Sequence, residues 1–153
     1  AVCRTYLRDL YGAMADGLNA GLPSDRFQVD WWLDSPRVRD RLAGRGATPP
    51  PEPGRWALAG EEGAGGCRVP GHLAVWAGEP QLAVEIPADY QTVKAVDPEL
   101  ALAWRLAARE ALERCFAAGY VVVDVVRTSD ETGGRAYYVL QRGEEAIWST
   151  SSA

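Results

Sequence analysis

Histidine is all but missing from this chain. His72 stands alone among 153 residues, so a Ser/His or Cys/His nucleophilic pair, or a histidine-based metal cluster, can be built only through it. It sits between a glycine and a short apolar run, and we read it as structural, with no metal site. Cysteine is scarce as well. Cys3, Cys67 and Cys115 are odd in number, far apart and without metal-ligand spacing, which points to reduced thiols in a cytosolic protein and away from a disulfide frame. Cys115 is read as core packing. Long hydrophobic runs are lacking, since none approaches the roughly 20 apolar residues that cross a bilayer. No signal-peptide pattern is seen either, and the expectation is a soluble, cytoplasmic protein without a membrane partner. A basic excess is also lacking: 16 Lys and Arg face 21 Asp and Glu, a formal net charge of −5, and the bases are scattered among acids. That leaves no electrostatic footprint for nucleic acid. An initiator Met is absent too, the chain opening on Ala1-Val2-Cys3-Arg4-Thr5-Tyr6 in what reads as mid-strand. We expect a piece of a longer protein.

What is abundant is apolar surface, 47% of residues, enough for one domain, or two half-sized lobes sharing one core. The organising stretch runs from Asp97 to Val126. Asp97 suits an N-cap and Pro98 a first helical residue. Leu100, Trp104, Ala107, Ala108, Ala111, Leu112, Cys115 and Ala118 then share one stripe at helical spacing, with Arg105, Arg109, Glu110 and Glu113 largely opposite. The spacing predicts a helix over 98–118 lying on a sheet. Gly119 falls where a left-handed residue closes a helix, and 120–126 follows as a β-branched strand covered on both faces, broken only by Asp124.

Around this unit we expect strands at 2–11 and 26–32, the latter with Phe27, Val29 and Trp31 on a core face, and a short helix opening at Ser35-Pro36 and stopped by Gly44. Residues 13–26 read as a connection. Arg37, Arg39, Arg41 and Asp40 read as a solvated face. Residues 45–71, dominated by Gly and Pro, read as a long loop or insertion. A strand at 82–86 and a short helix carrying Tyr90, Val93 and Val96 lead into the long helix. A long loop, 127–134, then joins 120–126 to a last strand at 136–141, and the end from Gly143 is weakly patterned. The expected organisation is thus a first lobe over 1–44, the insertion, a second half over 72–142 and a tail. A right-handed crossover makes 82–86 parallel to 120–126, with the last strand antiparallel between or beside them.

Candidate chemistry is sparse. Gly60-Glu61-Glu62-Gly63-Ala64-Gly65-Gly66 superficially looks like a phosphate cradle, but it holds two glutamates and runs into Cys67-Arg68-Val69-Pro70-Gly71 in place of a helix start. Glu85 and Asp124 are lone carboxylates in apolar strands. Burial would raise such a pKa toward the range of a general base, and the competing reading points each from a sheet edge into water. The loop Gly21-Leu22-Pro23-Ser24-Asp25-Arg26-Phe27 gathers a hydroxyl, a carboxylate and a guanidinium at the mouth of a strand. Arg26 there can fork a substrate carboxylate, with Ser24 beside it and Asp25 fixing its rotamer. The competing reading is a capping turn closed by an Asp25–Arg26 pair.

The residues 1–6, Leu10-Tyr11-Gly12, Met14, the run from Leu18 through Phe27, Val29 and Trp31-Trp32 resemble the C-terminal half of a group of predicted acyltransferases in the GNAT superfamily. Val84 to Gln91, Trp104-Arg105, Arg109, Phe116, Gly119 to Val122 and Tyr137 to Leu140 are similar to the same group. The likeness covers most of the chain outside the Gly/Pro-rich stretch. The resemblance implies an α+β fold with a mixed, mostly antiparallel sheet and a long packed helix. It also implies an enzyme that transfers an acetyl, succinyl or other acyl group from acyl-CoA to an amine such as an amino acid. In this superfamily the CoA pyrophosphate sits on a Q/R-x-x-G-x-G/A loop ahead of a helix. No such segment occurs here, so no cofactor-binding residue is assigned and that part would lie upstream of Ala1. The group is similar to enzymes found beside N-acylamino-acid racemases, some of which succinylate D-amino acids. The alternative is a non-catalytic α+β binding or interaction module.

Overall fold

The computed structural model describes residues 1–14, 21–45, 52, 55–74, 76, 78–130 and 133–143. Among the described residues the α-helices and strands follow in the order β1 (Val2–Leu7), β2 (Arg26–Asp30), α1 (Pro36–Leu42), β3 (Trp56–Glu62), β4 (Arg68–Leu73), β5 (Gln81–Pro87), α2 (Tyr90–Val96), α3 (Pro98–Ala117), β6 (Tyr120–Asp130) and β7 (Gly133–Arg142). The strands make one mixed sheet in the order β2-β1-β6-β7-β5-β3-β4. All pairings are antiparallel except β3 with β5.

α3 forms for the reasons visible in its sequence. The Asp97 side chain accepts from Leu100 N at 2.9 Å, Pro98 occupies the first turn, and Ala118 closes the helix just before Gly119 at φ 83°. Its buried residues are Ala101, Trp104, Ala108, Ala111, Leu112 and Cys115, and all but Ala101 share one core cluster with Leu58, Leu82, Val84, Val122 and Leu140. Trp104 and Leu112 face the sheet, as the stripe requires. Ala101 joins the buried set and Ala118 is exposed, because the stripe turns with the helix and leaves the sheet at the last turn. Burial pushes the Cys115 thiol up to about 12, so it remains an inert, protonated core group. Cys3, Cys67 and Cys115 are all free, and Cys67 is exposed. Gly119 has open space around it, so Gly119→Ala meets only the left-handed backbone cost, and urea unfolding is expected to show a loss of about 1 kcal/mol.

β5 and β6 both run antiparallel to β7, which lies between them, and are therefore parallel to each other. The expected insertion of the last strand is what forms. The hairpin joining β6 to β7 is tighter than expected, with pairing that continues to Asp130 and Gly133; the residues 127–130 and 133–134 that read as a loop are strand, because cross-strand hydrogen bonds override their weak individual strand preference.

Several expectations change. The stretch 45–71, read as a long loop or insertion, instead carries most of the β3–β4 hairpin, and β3 adds to the central sheet beside β5. Gly60 and Gly71 serve close approach. A Cβ at Gly60 would lie 2.9 Å from Glu85 Oε1 and from the Trp104 ring, and one at Gly71 would meet Glu61 and the Ala59 carbonyl. β1 stops at Leu7, four residues short, where Asp9 turns the chain at φ 42°. β2 stops at Asp30, and only Phe27 of its expected core face packs inward. Val29 and Trp31 are exposed, since β2 is an edge strand beyond the cover of α3. The Arg-rich face of α1 is not simply solvated. Arg37 and Arg41 both reach Asp124, Arg39 pairs with Asp34, and Asp40 with Arg45. Parts of the expected connection (15–20), most of 46–54, and the tail beyond Gly143 lie outside the described residues. Among the described helices none is long and apolar enough to cross a membrane.

Candidate functional site

A hollow lies between α2, α3 and the sheet face they cover. It is about 370 Å³, within the range of small-ligand sites. β1 and β2 supply Tyr6, Arg26 and Phe27; the end of β5 supplies Ile86 and Pro87; α2 supplies Tyr90 and Gln91; α3 supplies Trp104, Arg105, Ala108 and Leu112; β7 supplies Tyr138. Phe27 is the hinge of the apolar wall, meeting Tyr6, Phe116 and Tyr138 edge-on at 5.6, 6.1 and 5.1 Å.

At the base sits Asp25, buried and saturated. Arg109 forks onto it, Nε to Oδ2 at 2.9 Å and Nη2 to Oδ1 at 2.8 Å, while Tyr6 Oη donates to it at 2.7 Å and Asp9 N at 2.9 Å. Burial alone would raise this carboxyl, but the hydrogen bonds from Arg109, Asp9 and Tyr6 outweigh it and hold it below the usual range. The Asp25 carboxylate is therefore taken by Arg109, and no Asp25–Arg26 ion pair forms among the described residues. Arg26 instead donates Nη1 to the Asp25 carbonyl at 2.8 Å and lies over the Tyr11 ring at 5.5 Å. Ser24 is buried and structural: its Oγ accepts from Tyr11 N at 2.8 Å and its N–H donates to Asp9 Oδ1 at 3.0 Å, tying loop 21–26 to the turn after β1. Of the three loop residues, Asp25 and Arg26 line the cavity and Ser24 anchors them.

The two strand carboxylates are not brought together. Glu85 is 2% exposed. It accepts from Gly60 N at 2.8 Å, from Arg68 Nε at 2.8 Å and from Arg135 Nη2 at 2.8 Å. Burial acts to raise its pKa, but Arg135, Arg68 and the Gly60 amide prevail and hold it below the usual range. That is the opposite of the expected drift toward a general base, and it is also not an edge residue facing water. Its role is to tie β3, β4 and β7 to β5. Asp124 accepts from Arg37 at 3.0 Å and from Arg41, outside the cavity lining. It clamps α1 to β6.

The residues that sequence reasoning undervalued are on α3. Arg105, Arg109 and Glu113 recur every four residues and form one row along the helix flank. They are not a uniformly solvated face: Glu113 takes Arg8, Arg109 takes Asp25, and Arg105 enters the cavity. Arg105 lies over the Tyr90 ring at 4.9 Å, and its Nε–H is buried without an acceptor among the described residues. The i, i+4 spacing was a visible signal; which side of the helix would meet β1 and β2 was not. Burial raises the phenols of Tyr6, Tyr90 and Tyr138, so all three remain protonated. His72 is exposed on β4. Gly60 to Gly66 passes from β3 into the hairpin turn, not into a helix that could receive phosphate. Among the described residues no group of three His, Cys, Asp or Glu side chains is placed to hold a metal ion. No protein-family model, no curated protein and no solved structure matches this chain.

Proposed function

We propose that this chain is part of a CoA-dependent N-acyltransferase and supplies the side of the cleft that receives the amine. The observation that carries the reading is the cavity, which lies where loop 21–26 meets the β5–α2–α3–β6–β7 unit, the two stretches on which the resemblance to the GNAT superfamily rests. In such a reaction the amine nitrogen attacks the thioester carbonyl carbon. A C–N bond forms, the C–S bond breaks, the nitrogen loses a proton and the thiolate gains one. Burial makes the phenols of Tyr6, Tyr90 and Tyr138 weaker acids than free tyrosine, and Tyr6 and Tyr90 already donate to Asp25 and to the Ala101 carbonyl, so the thiolate takes its proton from solvent. Asp25, the carboxylate lining the cavity, is ion-paired and held low, so the amine's own proton leaves to solvent. The acyl-CoA is a co-substrate, and the residues present do not fit its pyrophosphate, since no glycine-rich helix entry occurs among them.

Calorimetry on this chain by itself is therefore expected to detect no micromolar binding of CoA, and such binding would contradict this division of the site. The decisive experiment follows thiol release from acetyl-CoA and other acyl thioesters by the full-length protein with a panel of amines. There Arg26→Lys is expected to lower kcat/KM by an amount equivalent to about 1.5–3 kcal/mol, since it keeps the charge and loses the fork. Unchanged activity with reduced thermal stability would leave Arg26 a structural residue. The second reading, a non-catalytic binding module, is favoured by one observation: Asp25, Glu85 and Asp124 are all engaged in ion pairs. Absence of thioester consumption with any amine would select it.

A further inference from the structure

Arg26 and Arg105 line two adjoining hollows at once. One is the 370 Å³ cavity, and the other is a recess of about 40 Å³ completed by Leu22, Pro23, Ser24, Tyr90, Gln91 and Lys94. No acidic side chain among the described residues lines the recess. In the cavity the lining carboxylate is Asp25, whose charge Arg109 already balances through two hydrogen bonds. Among the described residues neither Arg26 nor Arg105 forms an ion pair with a carboxylate, although the chain as a whole carries a formal charge of −5. The buried Arg105 Nε–H has no acceptor among the described residues, a condition native interiors avoid unless something else completes it. A net positive recess therefore opens onto a cavity whose far wall is apolar, formed by Phe27, Ile86, Trp104 and Leu112.

We propose that Arg26 and Arg105 together clamp the carboxylate of a small acid whose bulky apolar body lies in the cavity against Phe27, Ile86, Trp104 and Leu112. Guanidiniums fork carboxylate and phosphate alike, and it is the size of the recess, about 40 Å³, that favours the smaller, two-oxygen carboxylate. The apolar wall supplies burial for an aromatic or branched side chain. This assignment deepens the acyltransferase reading and rests on it for the role of the ligand: the acid is the acyl acceptor, an amino acid with a large apolar side chain. Arg105 then sets specificity from α3, a second anchor beside the loop residue Arg26.

The test is isothermal titration of the 153-residue chain with 3-phenylpropionate, 3-phenylpropanol and inorganic phosphate. The acid is expected to bind about tenfold or more tightly than the alcohol, with phosphate a poor competitor. Arg105→Met, which keeps the stem over Tyr90, is expected to abolish that preference and leave the affinity for the alcohol unchanged, with Arg105→Lys between the two. If Arg105→Met melts below the assay temperature, Arg26→Met carries the same comparison. Equal binding of acid and alcohol by the unaltered chain, a preference that survives both variants, or phosphate competing as well as the acid would each overturn the clamp. The acyltransferase reading fails differently. Equal kcat/KM for phenylalanine and phenethylamine in the full-length protein would remove the clamp and leave acyl transfer standing. Acid-selective binding without thioester consumption would do the reverse.

Discussion

Glu85→Gln is expected to lower the stability of this protein by about 3–4 kcal/mol, because it leaves two guanidiniums facing one another around a neutral amide in a buried site. The glutamate side chain is 2% exposed, against 33% for Arg68 and 21% for Arg135. Most of the loss therefore comes from the stranded charges, which are only partly able to turn to water. In a domain of this size the melting temperature should fall by about 6–16 °C, readable by near-UV circular dichroism. Arg135 also stacks on Trp56 at 4.8 Å and on Tyr137 at 5.3 Å, so the damage should spread to the β3–β5–β7 junction. The double variant Glu85→Leu with Arg135→Met removes a charge of each sign and should recover part of the loss. A single Glu85→Gln variant as stable as the parent would show that this triad contributes no net stabilisation.

Asp25→Ala is expected to cost about 3 kcal/mol at neutral pH, for a related reason and with a clearer pH signature. The substitution strands Arg109, leaves the Tyr6 hydroxyl and the Asp9 amide without their acceptor, and loosens loop 21–26 from the turn after β1. The folded carboxyl lies below its ordinary value of 3.8, as the folded Glu85 lies below 4.5. Between the folded and unfolded values the unfolded chain binds more protons, so stability rises with pH across that window. The contribution is fully present above about pH 4–5 and is lost as pH falls through the lower, folded value. The gap between the melting temperatures of the parent and Asp25→Ala should therefore hold from pH 7 to about pH 5 and begin to narrow as pH falls below about 4. A gap between them that stays constant through the acid range would mean that Asp25 acts by shape alone.

The long helix and its flanking strands were legible because the information is local. Asp97 and Pro98 specify a start, Gly119 a stop, and the spacing of Trp104, Ala108, Leu112 and Cys115 a buried face. The β3–β4 hairpin was not legible for the opposite reason. In isolation a run such as Gly60 to Gly66 has every mark of a loop, and it becomes strand and turn only because Gly60 must admit Glu85 and Trp104 from elements 25 and 44 positions away in the chain. The candidate site divides in the same manner. Loop 21–26 drew notice through its own composition, whereas Arg105 could not be told from its neighbours on the helix flank.

Local pattern alone determined that this chain packs strands against one amphipathic helix, with β7 able to lie between β5 and β6. Those features follow from backbone propensity, capping and periodicity, which act over a few residues. Tertiary structure alone decided the partners of each charge: Arg109 with Asp25, Arg68 and Arg135 with Glu85, Arg37 and Arg41 with Asp124. A carboxylate in a strand reads identically whether it ends in water, at a catalytic centre or between two guanidiniums. Desolvation and ion pairing push its pKa in opposite directions, and which prevails depends on side chains brought from far along the chain.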